Sequence, residues 1–196
     1  MGYAFTVGND NYIAGGDYNP QTGIIRIFRG AIIGDRVQKG LLAHEIQHAR
    51  FQNVSKRSIA DNNAIDARIR KEEEDRLTWR DSFLRADGTF RNPEQDEKLY
   101  PGYNVMIYLN SDFNGTDVHG KKLRKGQSLS DLDGVSPYSE SYWKKFNTTK
   151  KYSDYYSAVN ETLAEIRKIK VTNPSKKVHK KWTSLYDTIN SIPLEK

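Results

Sequence analysis

Over the first forty residues the apolar positions come in short runs between turn residues. Asn19-Pro20-Gln21-Thr22-Gly23 is a turn signal, and Ile24-Ile25-Arg26-Ile27-Phe28 after it is β-branched and aromatic with partial alternation. This predicts a strand. Gly30, Gly34 and Gly40 punctuate the next stretch. The period then changes. Leu42, Ile46, Ala49 and Asn53 fall on one helical face, and Leu41, His44, Glu45 and His48 on the neighbouring one, which predicts a helix over 39–52. A second, heavily charged helical stretch runs over 59–85 with a narrow stripe of Ile65, Ile69, Leu77 and Leu84, and Asp87-Gly88 ends it. Tyr103–Leu109 alternates like a strand. Asn110–Ser136 is rich in Gly, Ser, Asp and Lys and reads as an extended loop. Loops that long are functional or mobile, so about 86–137 is read as an insertion or mobile region within one domain spanning 1–196. Ser139–Phe146 reads as a short helix. Ser153 then caps a helix over 154–170 in which Tyr156, Val159, Leu163 and Ile166 recur at spacings of three and four. Asn173-Pro174 opens a last helix, whose Val178, Trp182, Leu185, Ile189 and Ile192 form the cleanest amphipathic stripe in the chain.

Composition narrows the class. A chain of 196 residues suits one domain that buries a core without disulfides. The hydrophobic share of 36% is low, and the 11% of aromatic residues supplies burial that the aliphatics do not. The absence of cysteine excludes a disulfide framework, a cysteine-based zinc site and a thiol nucleophile together. No apolar run is long enough to span a bilayer, and no signal peptide or membrane partner is expected. The net charge of +6 invites a nucleic-acid reading. The acids are scattered, however, and the basic excess lies in Lys121–Lys125, Lys144–Lys151 and Lys176–Lys181 with no nucleic-acid motif beside it. Nucleic acid is therefore not an expected partner.

The chemistry is concentrated in Leu41-Leu42-Ala43-His44-Glu45-Ile46-Gln47-His48. Two histidines four apart on a helix point the same way from successive turns and can share one metal. Glu45 is offset by about 100° around that helix, where a carboxylate reaches a metal-activated water rather than the metal. This is the HExxH pattern of zinc metallopeptidases. A catalytic zinc wants a third protein ligand. The metzincin extension would place Gly and His where Phe51 and Val54 stand, so that class is excluded. The best source is Asn160-Glu161-Thr162-Leu163-Ala164-Glu165, whose two glutamates are four apart. Spacing alone also allows them to be an exposed acidic face pairing with Arg167 and Lys168. His119 and His179 read as exposed histidines, and Trp79, Trp143 and Trp182 as packing residues.

HExxH, with a helix reading Asn-Glu-x-x-Ala-Glu much later in the chain, resembles the gluzincin metallopeptidases. Within them it resembles the catalytic domain of anthrax lethal factor and its toxin and phage-encoded relatives. The resemblance covers the stretches around 20–52, 153–169 and the last helix; residues 53–150 match nothing in the family pattern. It implies an α+β, zincin-like fold, with a small mixed sheet packed on the motif helix and further helices in the C-terminal half. It implies that His44, His48 and Glu161 bind zinc and that Glu45 is the general base. If Glu161 is not the third ligand, Glu165 is the next choice. Otherwise Glu165 supports a ligating histidine or closes a salt bridge. The family carries a tyrosine about two turns before the third ligand. That offset falls on Asp154, so Tyr155 is the expected oxyanion partner and Tyr156 the second choice. The comparison further suggests that an edge strand, Ile24–Phe28, pairs with an extended peptide substrate. It implies a zinc-dependent endopeptidase acting on peptides or proteins, carried in a larger polypeptide such as a secreted toxin or a virion-associated protein. The alternative is a non-catalytic structural or binding module that keeps the zinc site. The presence of Glu45 favours the enzyme.

Overall fold

A computed structural model describes residues 4–8, 15–28, 35–79, 103–132 and 134–193. The first three elements are strands: β1 (Ala4–Gly8), β2 (Gly16–Asn19) and β3 (Ile24–Phe28). They form a mixed sheet in the order β1-β3-β2. β1 runs parallel to β3, from Ala4 opposite Ile24 to Gly8 opposite Phe28. β2 runs antiparallel to β3, from Gly16 opposite Ile27 to Asn19 opposite Ile24. The turn between β2 and β3 is held by Asn19, whose Oδ1 accepts the amides of Gln21 and Thr22 at 2.9 and 3.1 Å. Gly23 closes it at φ +71°, a left-handed conformation that suits glycine.

The strand expected at Ile24–Phe28 is present, but it is not an edge. β3 is paired on both sides, so its backbone has nothing left to offer a peptide. β1 and β2 are the outer strands of the described sheet, and β2 packs on the motif helix. Gly16 is the point of closest approach. A Cβ there would lie 2.8 Å from the Arg26 carbonyl oxygen and 3.5 Å from Glu45 Cγ.

The motif helix α1 (Asp35–Trp79) is one element of 45 residues, about 67 Å long at 1.5 Å per residue. Two separate helices are expected from the pattern; the structure joins them. Nothing in 53–58 breaks a helix, and its polar side chains are used. Ser55 Oγ accepts the Tyr156 hydroxyl at 2.7 Å, and Ser58 Oγ accepts the Met106 amide at 3.2 Å. The Asp87-Gly88 turn and residues 86–102 of the expected insertion lie outside the described residues.

The stretch expected to be a strand at 103–109 is instead the start of α2 (Tyr103–Phe113). Val105, Leu109 and Asp112 are its buried positions, a helical spacing that the alternation of apolar residues conceals. Residues 114–132 and 134–136 are irregular, with a bridge between Thr116 and Lys122 and one 3-10 turn at Leu129–Asp131. Asp112 anchors them. It accepts Ser128 Oγ, the Leu129 amide, the Tyr155 hydroxyl and Lys181 Nζ, all at 2.7–3.1 Å.

Three helices complete the α+β domain. α3 (Pro137–Thr149) starts on a capping box in which Ser136 and Ser139 each accept the other's amide at 3.2 Å. α4 (Tyr152–Thr172) is the central helix and packs against α1 and α3. Its Ala158, Val159, Leu163 and Ile166 are fully buried. α5 (Lys180–Ser191) begins later than Asn173-Pro174 suggests. Asn173 instead makes a turn, accepting the Lys176 amide at 3.0 Å, and His179 caps the helix. Trp182, Leu185 and Ile189 face the core as expected. Gly40 of α1 faces the end of α4, where a Cβ would lie 2.7 Å from Thr172 Cγ2, so the two helices cross closely. No described helix is long and apolar enough to cross a membrane.

Candidate metal centre

His44 and His48 stand one turn apart on α1 and face α4. Their Nε2 atoms are 2.9 Å apart. Glu161 of α4 brings Oε2 to 3.5 Å from His44 Nε2 and 3.6 Å from His48 Nε2. The ligand atoms of the three residues lie within 4.8 Å of one another. Glu161 Oε2 is buried and has no hydrogen-bond partner. A buried carboxylate oxygen left in that state is costly unless a cation answers it. Two imidazole nitrogens and one carboxylate oxygen form a donor set that suits a divalent transition metal. These residues could therefore hold a metal ion.

The supports are also in place. His48 Nδ1 is 3.0 Å from Asn160 Oδ1, so it donates there and leaves Nε2 as the free lone pair. His44 Nδ1 is 3.0 Å from Glu165 Oε1, and Lys168 Nζ donates to the same oxygen at 3.1 Å. Glu165 therefore stands against His44 and closes a salt bridge with Lys168. Asn160 carries no expected role, although it stands one residue before Glu161. The signal was its position, 100° round the helix from Glu161 and so towards the second histidine.

Electrostatics follow burial and these contacts. Burial tends to lower the His44 pKa, but Glu161, Glu165 and Glu45 outweigh it and lift it to about 9. Burial lowers the His48 pKa, and the opposing Glu161 charge does not reverse it. Burial pushes the Glu45 carboxyl up to about 7, against the opposing charge of His44 and helped by those of Glu161 and Asp17. Burial would also raise Glu165, but His44, Ser136 and Lys168 beside it hold it near 2. Glu45 is 4% exposed and stands outside the three-residue cluster, between α1 and Gly16 of β2.

The expected tyrosines are not at the centre. Tyr155 is 1% exposed, its ring packs among Phe113, Trp143 and Phe146, and its hydroxyl donates to Asp112 at 2.8 Å. It lies well round α4 from Glu161, on the core side. Tyr156 packs on Phe51 and donates to Ser55 at 2.7 Å. Asp154, at the expected offset itself, holds Lys145 and Thr149. The tyrosine beside the centre is Tyr138, in the first turn of α3. Its ring centroid is 6.1 Å from that of His44, and its hydroxyl is 3.3 Å from that of Tyr142. Burial raises its pKa first, then the Tyr142 hydroxyl, then the charges of Glu161 and Glu45, which places its oxygen within the field of both carboxylates. Ser136-Pro137 marks the helix start in the sequence, but not the helix it faces. His119 and His179 are exposed, while Trp143 and Trp182 are core residues. Compared with known proteins, the chain matches no family model, no curated protein and no solved structure.

Proposed function

We propose that this chain is a zinc-dependent endopeptidase of the gluzincin type, with a zincin-like arrangement of its motif helix, sheet and ligand helix. The observation that carries the reading is the unpartnered, buried Glu161 Oε2 aimed at two imidazole nitrogens, with the Glu45 carboxyl one residue along the same helix as His44. His44, His48 and Glu161 would hold the ion, and a bound zinc supplies a Lewis acid that acidifies water and polarises a carbonyl. Glu45 has a pKa near the working pH, which suits a base that takes a proton from water and returns it to the leaving amine. Tyr138, kept protonated, donates its hydroxyl hydrogen to the carbonyl oxygen as charge develops there. Asn160 and Glu165 fix the two imidazoles. An extended substrate lies along β2, the outer strand beside Glu45, rather than along β3.

The test begins with elemental analysis of the purified chain. About one zinc per chain, lost in His44→Ala and Glu161→Ala, is the expected result. Glu45→Gln should keep the metal and lose hydrolysis of a denatured-protein substrate. No tight zinc uptake would overturn the reading. Uptake without hydrolysis by the unaltered chain would favour a module that only keeps the site.

A further inference from the structure

Tyr138 is 52% exposed, although His44 and Glu45 beside it are buried. Its backbone is well fixed. Ser136 and Ser139, the two members of the capping box, stand on either side of it. Ser141 Oγ donates to its carbonyl oxygen at 2.7 Å, and Lys176 Nζ donates to the Val135 carbonyl at 2.8 Å just before the helix. A fixed backbone does not fix the hydroxyl, whose position depends on the side-chain torsions χ1 and χ2. Something beyond the backbone has to hold it.

Tyr142 does so. It stands four residues along α3, so the two side chains leave the helix on one face. Their ring centroids are 5.5 Å apart in an edge-to-face arrangement, and their hydroxyl oxygens are 3.3 Å apart. Tyr142 is partly buried and packs against the core cluster that holds Trp143 and Phe146, so it is the anchored member of the pair. Among the described residues, no other side chain is hydrogen-bonded to the Tyr138 hydroxyl. The contact is longer than the usual hydroxyl pair of about 2.7–2.8 Å. That is common for hydrogen bonds that tighten only when a substrate arrives.

We infer that Tyr142 is a positioning residue for the proposed hydrolysis: its hydroxyl donates to the Tyr138 oxygen and so turns the Tyr138 O–H outward, to the substrate carbonyl. The inference rests on the peptidase reading, in which Tyr138 is the group that touches the substrate. A hydroxyl both donates and accepts. With Tyr142 as the donor, the pair forms a short chain whose free end is the Tyr138 proton, and each hydrogen bond polarises the next. With the direction reversed, that proton is held by Tyr142 and is lost to the substrate. Negative charge growing on the carbonyl oxygen selects the first arrangement. Both phenols keep their protons throughout, so no proton changes oxygen in this step.

Tyr142→Phe tests this cleanly, because it keeps the ring and its packing and removes only the hydroxyl. The substrate is a quenched-fluorescent peptide that the unaltered, zinc-loaded chain cuts. The variant should lose about three- to tenfold in kcat, the worth of one hydrogen bond, with KM and zinc content unchanged. The double variant Tyr138→Phe/Tyr142→Phe should be no slower than Tyr138→Phe alone, because nothing is left to position. A second readout needs neither metal nor hydrolysis. A 3-fluorotyrosine incorporated at position 138 carries its fluorine next to the hydroxyl, and its 19F resonance in the metal-free chain should move in Tyr142→Phe. The inference is overturned if the resonance stays where it was, if kcat is unchanged, if the loss falls on KM or zinc content, or if the two tyrosine losses multiply. An unaltered chain that cuts nothing overturns this inference together with the peptidase reading. An unaltered chain that cuts, matched by Tyr142→Phe, overturns this inference alone.

Discussion

In the proposed centre Asn160 would act through His48, the ring it touches. Its carbonyl oxygen holds Nδ1 and so decides which ring nitrogen is available. Asn160→Ala should weaken metal binding by about 10–100-fold while the fold persists, as read by competition with a chromophoric chelator. The two tyrosines divide along the same line. Tyr138→Phe removes a hydroxyl at the mouth of the centre and leaves its ring beside His44. It should keep the metal and lower the rate of peptide hydrolysis by about 10²–10³-fold. Tyr155→Phe removes a donor to Asp112 in the core and should leave the rate alone, while lowering the unfolding free energy by about 1–3 kcal/mol in a denaturant titration. The spacing His44–His48 and the pair Glu161/Glu165 were legible because periodicity fixes what one helix presents. Tyr138 was not, because its place depends on how a different helix packs, and no spacing within α4 encodes that.

At the scale of elements, local signals were read correctly where they agreed with packing. The turn at 19–23, the strand after it and the amphipathic stripe of α5 all appear where the pattern puts them. α2 shows the converse. Val105, Ile107 and Leu109 alternate, yet Val105 and Leu109 also stand one helical turn apart, and burial against the rest of the core chooses the helix. The junction of α3 and α4 offers a test of the electrostatics. Lys145 and Thr149 near the end of α3 bond to Asp154 in the first turn of α4 and hold its carboxyl below the usual aspartate range. A depressed folded-state pKa contributes stability above the unfolded-state value, and that contribution is lost as pH falls through the folded value. Asp154→Asn should therefore destabilise the protein near neutral pH. The difference from the unaltered chain should shrink below about pH 4, as followed by denaturant midpoints across pH. Gly16→Ala should be costly at any pH, because the Arg26 carbonyl occupies the space a Cβ needs and that carbonyl belongs to the paired backbone of β3.

Over the whole molecule, the two ends of the chain meet at α1. The N-terminal sheet and α4 both pack on the motif helix, so Glu45 comes to lie against the sheet while Glu161 reaches the two histidines from α4. The α+β class was legible from the switch of period near residue 39. The convergence of α3 on the same place was not, since it depends on contacts between residues far apart in sequence. The same is true of charge. Lys181 reads as part of a solvated basic face along the chain, and the fold turns it onto Asp112 and the Gln127 carbonyl.

The start of α3 has a consequence of its own. Ser136 caps that helix and lies close enough to Glu165 to help lower its pKa, and Glu165 in turn stands 3.0 Å from His44 Nδ1. Gly134, just before the cap, leaves no slack: a Cβ there would lie 2.9 Å from the Glu140 amide nitrogen. Whatever steadies His44 should therefore also steady a helix end that makes no direct contact with a metal. Hydrogen exchange reads this directly. The amides of Ser139 and Glu140, both hydrogen-bonded to Ser136, should exchange more slowly once zinc is bound, and should no longer respond to zinc in Glu165→Ala. The first turn of α3 would then report occupancy of the centre without any substrate being cut.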